Sequence, residues 1–212
     1  MIFTIGHSTH SIEYFIDLLK VQGITAIADV RSAPFSRFQP QFNREALSQS
    51  LIEAGMEYVF FGDSIGGRSQ NPNDFENNRV MYSRLKKNPH FANGLDRVIA
   101  GSEKFKIALM CSEKEPLECH RMLLVGQTLH ELGQQVTHIH GDGSLESHSE
   151  AIKRLLKILN LDEPDLFRSP AEILEEALLK QEQRVAYVLD DSARGRLGSG
   201  LLGASDDWTE SV

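Results

Sequence analysis

Apolar residues along the chain fall in short runs that alternate between two periods. Phe3-Thr4-Ile5 is a short apolar run ended by Gly6-His7-Ser8 and reads as a first strand. Ile12, Phe15, Ile16 and Leu19 recur at helical spacing. With Ser11 placed to cap and Gly23 to stop, they predict a helix over 12–21. Residues 24–30 are rich in β-branched side chains and predict a second strand, ending at Asp29-Val30-Arg31. A loop with Pro34 and Pro40 follows over 32–42, then a helix over 44–54 closed by Gly55. A third strand over 58–61 leads into Gly62 and the turn Gly66-Gly67-Arg68. Residues 69–78 are polar and rich in Asn and Pro, which predicts a surface excursion. Helices are expected over 80–85 and 91–100, and a fourth strand over 105–110. Pro116 stands at or near the first turn of a helix over 117–132, ended by Gly133. A fifth strand over 136–140 and helices over 149–159 and 170–190 complete the pattern, the last with Ile173, Leu174, Ala177 and Leu178 on its apolar side.

Strands alternating with helices predict an α/β fold: one open, mostly parallel five-stranded sheet with helices on both faces, plus a C-terminal helix and tail. The expected divisions are an α/β domain over 1–160, a helical extension over 161–190 and a flexible acidic tail over 191–212, where Gly, Ser, Ala and acidic residues dominate.

Composition narrows the class. With 41% hydrophobic and 25% charged residues, the 212-residue chain falls among ordinary globular proteins. It has no apolar run near the ~20 residues that span a bilayer, so no membrane partner is expected. Met1 to His7 lacks the basic start of a signal peptide. The expectation is therefore a cytoplasmic protein whose two cysteines are free thiols. The net charge of −8 is uneven: residues 1–140 carry 14 Lys and Arg against 15 Asp and Glu, and residues 141–212 carry 8 against 15. The first part is nearly neutral and open to an anionic substrate.

Both cysteines lie in one run, Cys111-Ser112-Glu113-Lys114-Glu115-Pro116-Leu117-Glu118-Cys119-His120-Arg121. Ligands of open parallel sheets bind at the carboxyl ends of the strands. Polar residues collect there after each predicted strand: His7 and Ser8, Asp29 and Arg31, Arg68, Cys111 and Glu113, His138 and His140. Cys111 is the candidate nucleophile, with the N–H groups of a following helix to lower its pKa; the alternative is a buried small hydrophobe. The spacing to Cys119 is neither the Cys-x-x-Cys of thioredoxin-like proteins nor the Cys-x5-Arg loop of cysteine phosphatases. A redox pair would require the loop to fold Cys111 back onto Cys119. On a continuous helix Cys119, His120 and Arg121 point about 100° apart and cannot all face one site. Arg121 could clamp a phosphate or carboxylate, or pair with a glutamate on its own helix. His138 and His140 share a strand face and could join a cysteine at zinc, although strand-end histidines more often serve structure, so no metal ligand is assigned. Between Arg31 and Arg44, arginines alternate with phenylalanines, a pattern suited to phosphates and bases or to anchoring a loop on the core.

Four motifs together resemble the DUF488 family, a domain of unknown function: Ile5-Gly6-His7-Ser8, Asp29-Val30-Arg31-Ser32-Ala33-Pro34-Phe35-Ser36, Gly66-Gly67-Arg68, and Cys111-x-Glu113-x-x-Pro116-x-x-Cys119-His120-Arg121. The resemblance spans roughly residues 1–190 and implies a cytosolic α/β domain with no established reaction. It marks His7, Arg31, Cys111, Glu113, Cys119, His120 and Arg121.

The leading expectation is an enzyme, a cysteine-dependent hydrolase or transferase, acting on an anionic small molecule or nucleotide-like substrate. Cys111 would be the reactive thiol, His7 or His120 the base and Glu113 a second proton carrier. Arg31, Arg121, Ser8, Arg37 and Arg68 would bind substrate. The alternatives are a nucleic-acid-associated protein using the Arg31–Arg44 loop and a metal site built from Cys111, Cys119 and histidines. The sequence names no cofactor.

Overall fold

The apolar runs become strands in a computed structural model that describes residues 1–163 and 167–189. Strands β1 (Ile2–Gly6), β2 (Ala26–Asp29), β3 (Glu57–Phe60), β6 (Ile107–Cys111), β7 (Val136–Ile139) and β8 (Leu145–Ser147) form one sheet in the order β3-β2-β6-β1-β7-β8. The first five are parallel. The sheet therefore has six strands, not five: β8 returns antiparallel along β7 at the edge. At three residues, after a turn with Gly143 at φ +85°, it is too short to show a period in the sequence. A second small hairpin, β4 (Phe75–Glu76) with β5 (Arg79–Val80), stands inside the polar excursion.

Burial on both faces explains why the central strands are apolar without interruption. Along β6, Ala108 and Met110 pack with Phe15, Leu19, Leu47 and Leu51 from α1 (Ile12–Val21) and α2 (Arg44–Glu53). Ile107, Leu109 and Cys111 alternate onto the opposite face. That face is covered by α3 (Gly62–Ile65), α4 (Tyr82–Leu85), α5 (Pro89–Gly101), α6 (Gln127–Glu131), α7 (His148–Ile158) and α8 (Pro170–Val185). Period two along β6 therefore sends Cys111 to the side built from the second half of the chain.

Local signals account for the helix ends. The Ser11 hydroxyl accepts from Tyr14 N–H at 3.2 Å. Ser147 with Glu150 and Ser169 with Glu172 form capping boxes at α7 and α8. Gly133, at φ +80°, stops α6 in the left-handed region that disfavours a side chain. Ala177 and Ala186 tie α8 and its end into the same apolar cluster as Cys111. Among the described residues no helix is long and apolar enough to cross a membrane. The expected tail over 191–212 lies outside the described residues.

Candidate functional site

The sheet order sets the carboxyl ends of β2, β6 and β1 side by side. The ladder continues past the strands: His7 N–H donates to Cys111 C=O at 2.9 Å, Ser8 N–H to Ser112 C=O at 2.9 Å, and Val30 N–H to Met110 C=O at 3.0 Å. Residues from three strand ends are thus held in register around Cys111.

The chain after β6 departs from the expected helix. Pro116 opens only a 3-10 turn, Pro116–Glu118, in which the Glu115 carboxylate caps Leu117 N–H at 3.0 Å. Cys119 then returns to extended backbone, φ −140° and ψ 140°. Helical structure restarts at His120 with a wide π-type turn, Arg121–Gly126, before α6. The argument from 100° steps therefore does not apply between Cys119 and His120, and both side chains reach Cys111. Wide turns of this type recur at functional sites.

The cluster is tight. Cys111 Sγ lies 2.9 Å and Cys119 Sγ 3.0 Å from Glu113 Oε2. His120 Nδ1 lies 3.7 Å from Cys111 Sγ and 3.9 Å from Cys119 Sγ. The other ring nitrogen, Nε2, stands 3.0 Å from Val30 C=O. A carbonyl only accepts, so Nε2 carries a proton, and Nδ1 is the ring nitrogen that faces the two sulfurs. Backbone N–H of Arg121 donates to Cys119 Sγ at 3.4 Å.

Three glycines of the sequence motifs permit this approach. A Cβ on Gly6 would sit 1.8 Å from Glu113 C=O. One on Gly67 would sit 2.7 Å from the His120 ring. One on Gly66 would sit 2.3 Å from both Gly62 C=O and Ser32 Oγ. Arg121, fully buried, holds the loop from the other side, its Nη1 and Nη2 donating to the carbonyls of Glu113 at 2.7 Å and Lys114 at 3.1 Å.

The two thiols differ in acidity. Burial raises the Cys119 thiol, but the hydrogen bond from Cys111, the Arg121 guanidinium and His120 outweigh it and hold Cys119 well below the ordinary thiol range. The hydrogen bond to Cys119, then burial, then the charges of Cys119 and Glu113 hold Cys111 well above it. Burial and the Cys119 charge raise Glu113. Burial opposes charge on His120, yet the hydrogen bond to Cys119 and its charge raise it overall. The two sulfurs therefore share one titrating site, in which charge on either thiol holds the other protonated.

The cluster opens into a cavity of about 160 Å³ lined also by Arg31, Ser32, Arg68, Tyr82 and Tyr187. Of the expected anion-binding side chains, Arg31 lines it but forms a bidentate pair with Asp29, at 2.9 and 2.6 Å. Asp29 also accepts from Tyr58 OH at 2.7 Å. Arg68 lines the cavity with its guanidinium 4.6 Å over the Tyr187 ring. Arg121 is engaged by carbonyls, and Arg37 lies 4.7 Å over Phe38 in the loop after Arg31. His7 stacks on Phe42, with ring centroids 4.2 Å apart, and its Nε2 accepts from Arg31 Nη1 at 3.3 Å. Burial, aided by Arg31, lowers its pKa to about 4. Ser8 takes φ +49°, unusual for a residue with a side chain, as it turns the chain away from β1. His138 and His140 point elsewhere: His138 bonds Thr4 Oγ1 at 2.8 Å and His148 at 3.2 Å, and His140 bonds Glu146 at 3.0 Å. Tyr82, at the start of α4, and Tyr187, just beyond α8, also line the cavity, although no sequence motif marks them.

The family described as "Domain of unknown function DUF488" matches residues 11–127. That span takes in the Asp29–Ser36 stretch, the glycine turn and the whole Cys111–Arg121 run. No curated protein matches the chain. Among solved structures, a candidate phosphatase (DUF442) from Shewanella putrefaciens CN-32 is 12% identical, over 85% of this chain and 87% of its own, with a TM-score of 0.37. That score is too low to carry fold or function from one chain to the other.

Proposed function

The chain belongs to the DUF488 family, and on that footing we propose that it is an enzyme with a thiolate-centred site at the carboxyl ends of β1, β2 and β6. The observation that carries this reading is the convergence of Cys111, Glu113, Cys119 and His120 at the wall of a small cavity. A carboxylate and an imidazole are costly to bury, and titratable groups packed together at a cavity wall are the mark of a functional site. Glu113, in contact with both sulfurs, is the proton carrier. Arg68 at the cavity wall is the contact for a small anionic or nucleotide-like substrate, since its guanidinium rests on an aromatic face and Arg31 and Arg121 are engaged by protein acceptors. The reaction class is hydrolysis or group transfer.

A panel of chromogenic phosphate-ester, carboxylic-ester and nucleotide substrates tests this. Turnover should vanish in Cys111→Ser and Cys119→Ser, and KM should rise about tenfold in Arg68→Ala, the worth of one charge-assisted contact. Turnover surviving in both cysteine variants, or none across the panel from folded protein with intact thiols, would contradict the proposal.

One observation favours a second reading. Phe35 and Phe38 are 74% and 75% exposed beside Arg37, as stacking faces for bases would be. A salt-sensitive mobility shift with single-stranded oligonucleotides, lost in Phe35→Ala/Phe38→Ala, would support a nucleic-acid-binding protein that uses the Arg31–Arg44 loop; no shift at low salt would dismiss it.

A further inference from the structure

We infer that the cluster is a binding site for one zinc ion, with Cys111 Sγ, Cys119 Sγ and His120 Nδ1 as ligands and the remaining coordination position toward the cavity. This deepens the thiolate-centred reading by giving the sulfurs the role of metal ligands, and it rests on that reading's choice of site.

The three donor atoms lie within 4.8 Å of one another. A tetrahedral zinc ion with ordinary bond lengths would place its sulfur and nitrogen ligands ~3.6 Å apart. The two sulfur–nitrogen separations, 3.7 and 3.9 Å, fall close to that edge, so small side-chain shifts would complete the shell.

The surroundings match those of a ligating histidine. Such a histidine donates its other ring N–H to an acceptor that fixes tautomer and orientation. Val30 C=O does this for His120 at 3.0 Å, and the missing Cβ of Gly67 leaves room for the ring. The Arg121 N–H on Cys119 Sγ is the matching support for a thiolate ligand. Arg121 also pins the carbonyls of Glu113 and Lys114, which fixes the loop between the two cysteines before any ion arrives.

Charge and softness select the ion. Two thiolates and a neutral imidazole neutralise a divalent cation, so the ligand shell itself adds no net charge where charge is costly to bury. Thiolate and imidazole donors favour zinc over the hard cations magnesium and calcium, which take oxygen ligands. As the ion enters, the remaining thiol protons leave to solvent, and sulfur–metal bonds replace S–H bonds. Three protein ligands beside a cavity are the arrangement of a working zinc site rather than a closed structural one. Glu113, in contact with both sulfurs, also lines the cavity.

The test uses the full chain, purified without a metal-affinity tag. Metal analysis should find about one zinc per chain, falling well below that in Cys111→Ser, Cys119→Ser and His120→Gln. Chelator-treated protein reloaded with Co2+ should show sulfur-to-metal charge transfer and the intense visible bands of a tetrahedral site. Each variant should weaken Co2+ binding at least tenfold, while circular dichroism of the chelator-treated variants reports whether they fold. Protein that folds, keeps its thiols reduced, retains no zinc and gives no sulfur band with Co2+ would overturn the inference. The two proposals fail separately. Cysteine-dependent turnover indifferent to chelation would remove the zinc and leave the enzyme, whereas one bound zinc without turnover would do the reverse.

Discussion

Gly6 shows how far single residues constrain the site. Its place opposite Cys111 on β1 lets the Glu113 carbonyl come so near that a methyl group would overlap it. Gly6→Ala must therefore move either the strand end or the loop that carries Glu113. Overpacking of this kind costs about 3 kcal/mol, and urea unfolding should show it as a lower midpoint with unchanged slope. An unchanged midpoint would mean that the loop has slack and that the thiol spacing is not fixed from β1. At this scale Cys111 was legible in the sequence, because strand alternation and the carboxyl-end rule are local. Cys119 was not, because its direction depends on one extended residue between a 3-10 turn and a π-type turn. Arg31 and Arg121 were legible as important positions but not in role. Their partners, Asp29 for one and the Glu113 and Lys114 carbonyls for the other, emerge only when the chain folds back on itself.

Between elements, a buried polar chain joins β1, β7, α7 and α6. Thr4 bonds His138, His138 bonds His148 at 3.2 Å, and the far nitrogen of His148 bonds Gln127 at 2.9 Å. Burial, with His130 nearby, lowers His148 to about 4, and burial beside His148 lowers His138 well below its usual value. A histidine whose folded pKa is depressed is neutral in the native state but takes up a proton near pH 6.5 when unfolded. The stability it confers is complete above pH 6.5 and is lost as pH falls toward 4, at up to ~1.4 kcal/mol per pH unit for each such group. Comparing the unfolding free energy at pH 7.5 and 5.5 in the parent and in His148→Gln isolates one of them. The variant should lose less stability on acidification than the parent. An equal or larger loss would contradict the assignment of His148 as buried and neutral. His138 and His140 were visible on the fifth strand, where the sequence favours a structural role over metal binding, but the partners that make the network were not legible. Period and caps made most helices and the parallel strands legible. The two-residue β4 and β5 and the three-residue β8 were not, since a strand that short has no period.

At the scale of the whole molecule, residues eight positions apart meet at one point because three structures cooperate. The carboxyl end of β6 presents Cys111, the 3-10 turn carries Cys119 back, and Val30 at the end of β2 turns His120 toward both. The second half of the chain closes the site: Gln181 on α8 donates to Leu117 C=O at 2.8 Å, and Tyr187 beyond α8 meets Arg68 across the cavity. The order of strands along the sheet, which decides that β1, β2 and β6 are neighbours, is not written in any local run. The most direct measurement is titration of the reduced, chelator-treated protein with a monosubstituted trivalent arsenical, which bonds two neighbouring sulfurs and releases one water. One equivalent should remove both thiols from reaction with a thiol reporter, and neither Cys111→Ser nor Cys119→Ser should hold the arsenical as tightly. Two thiols that go on reacting independently after one equivalent would contradict the convergence on which the site is built.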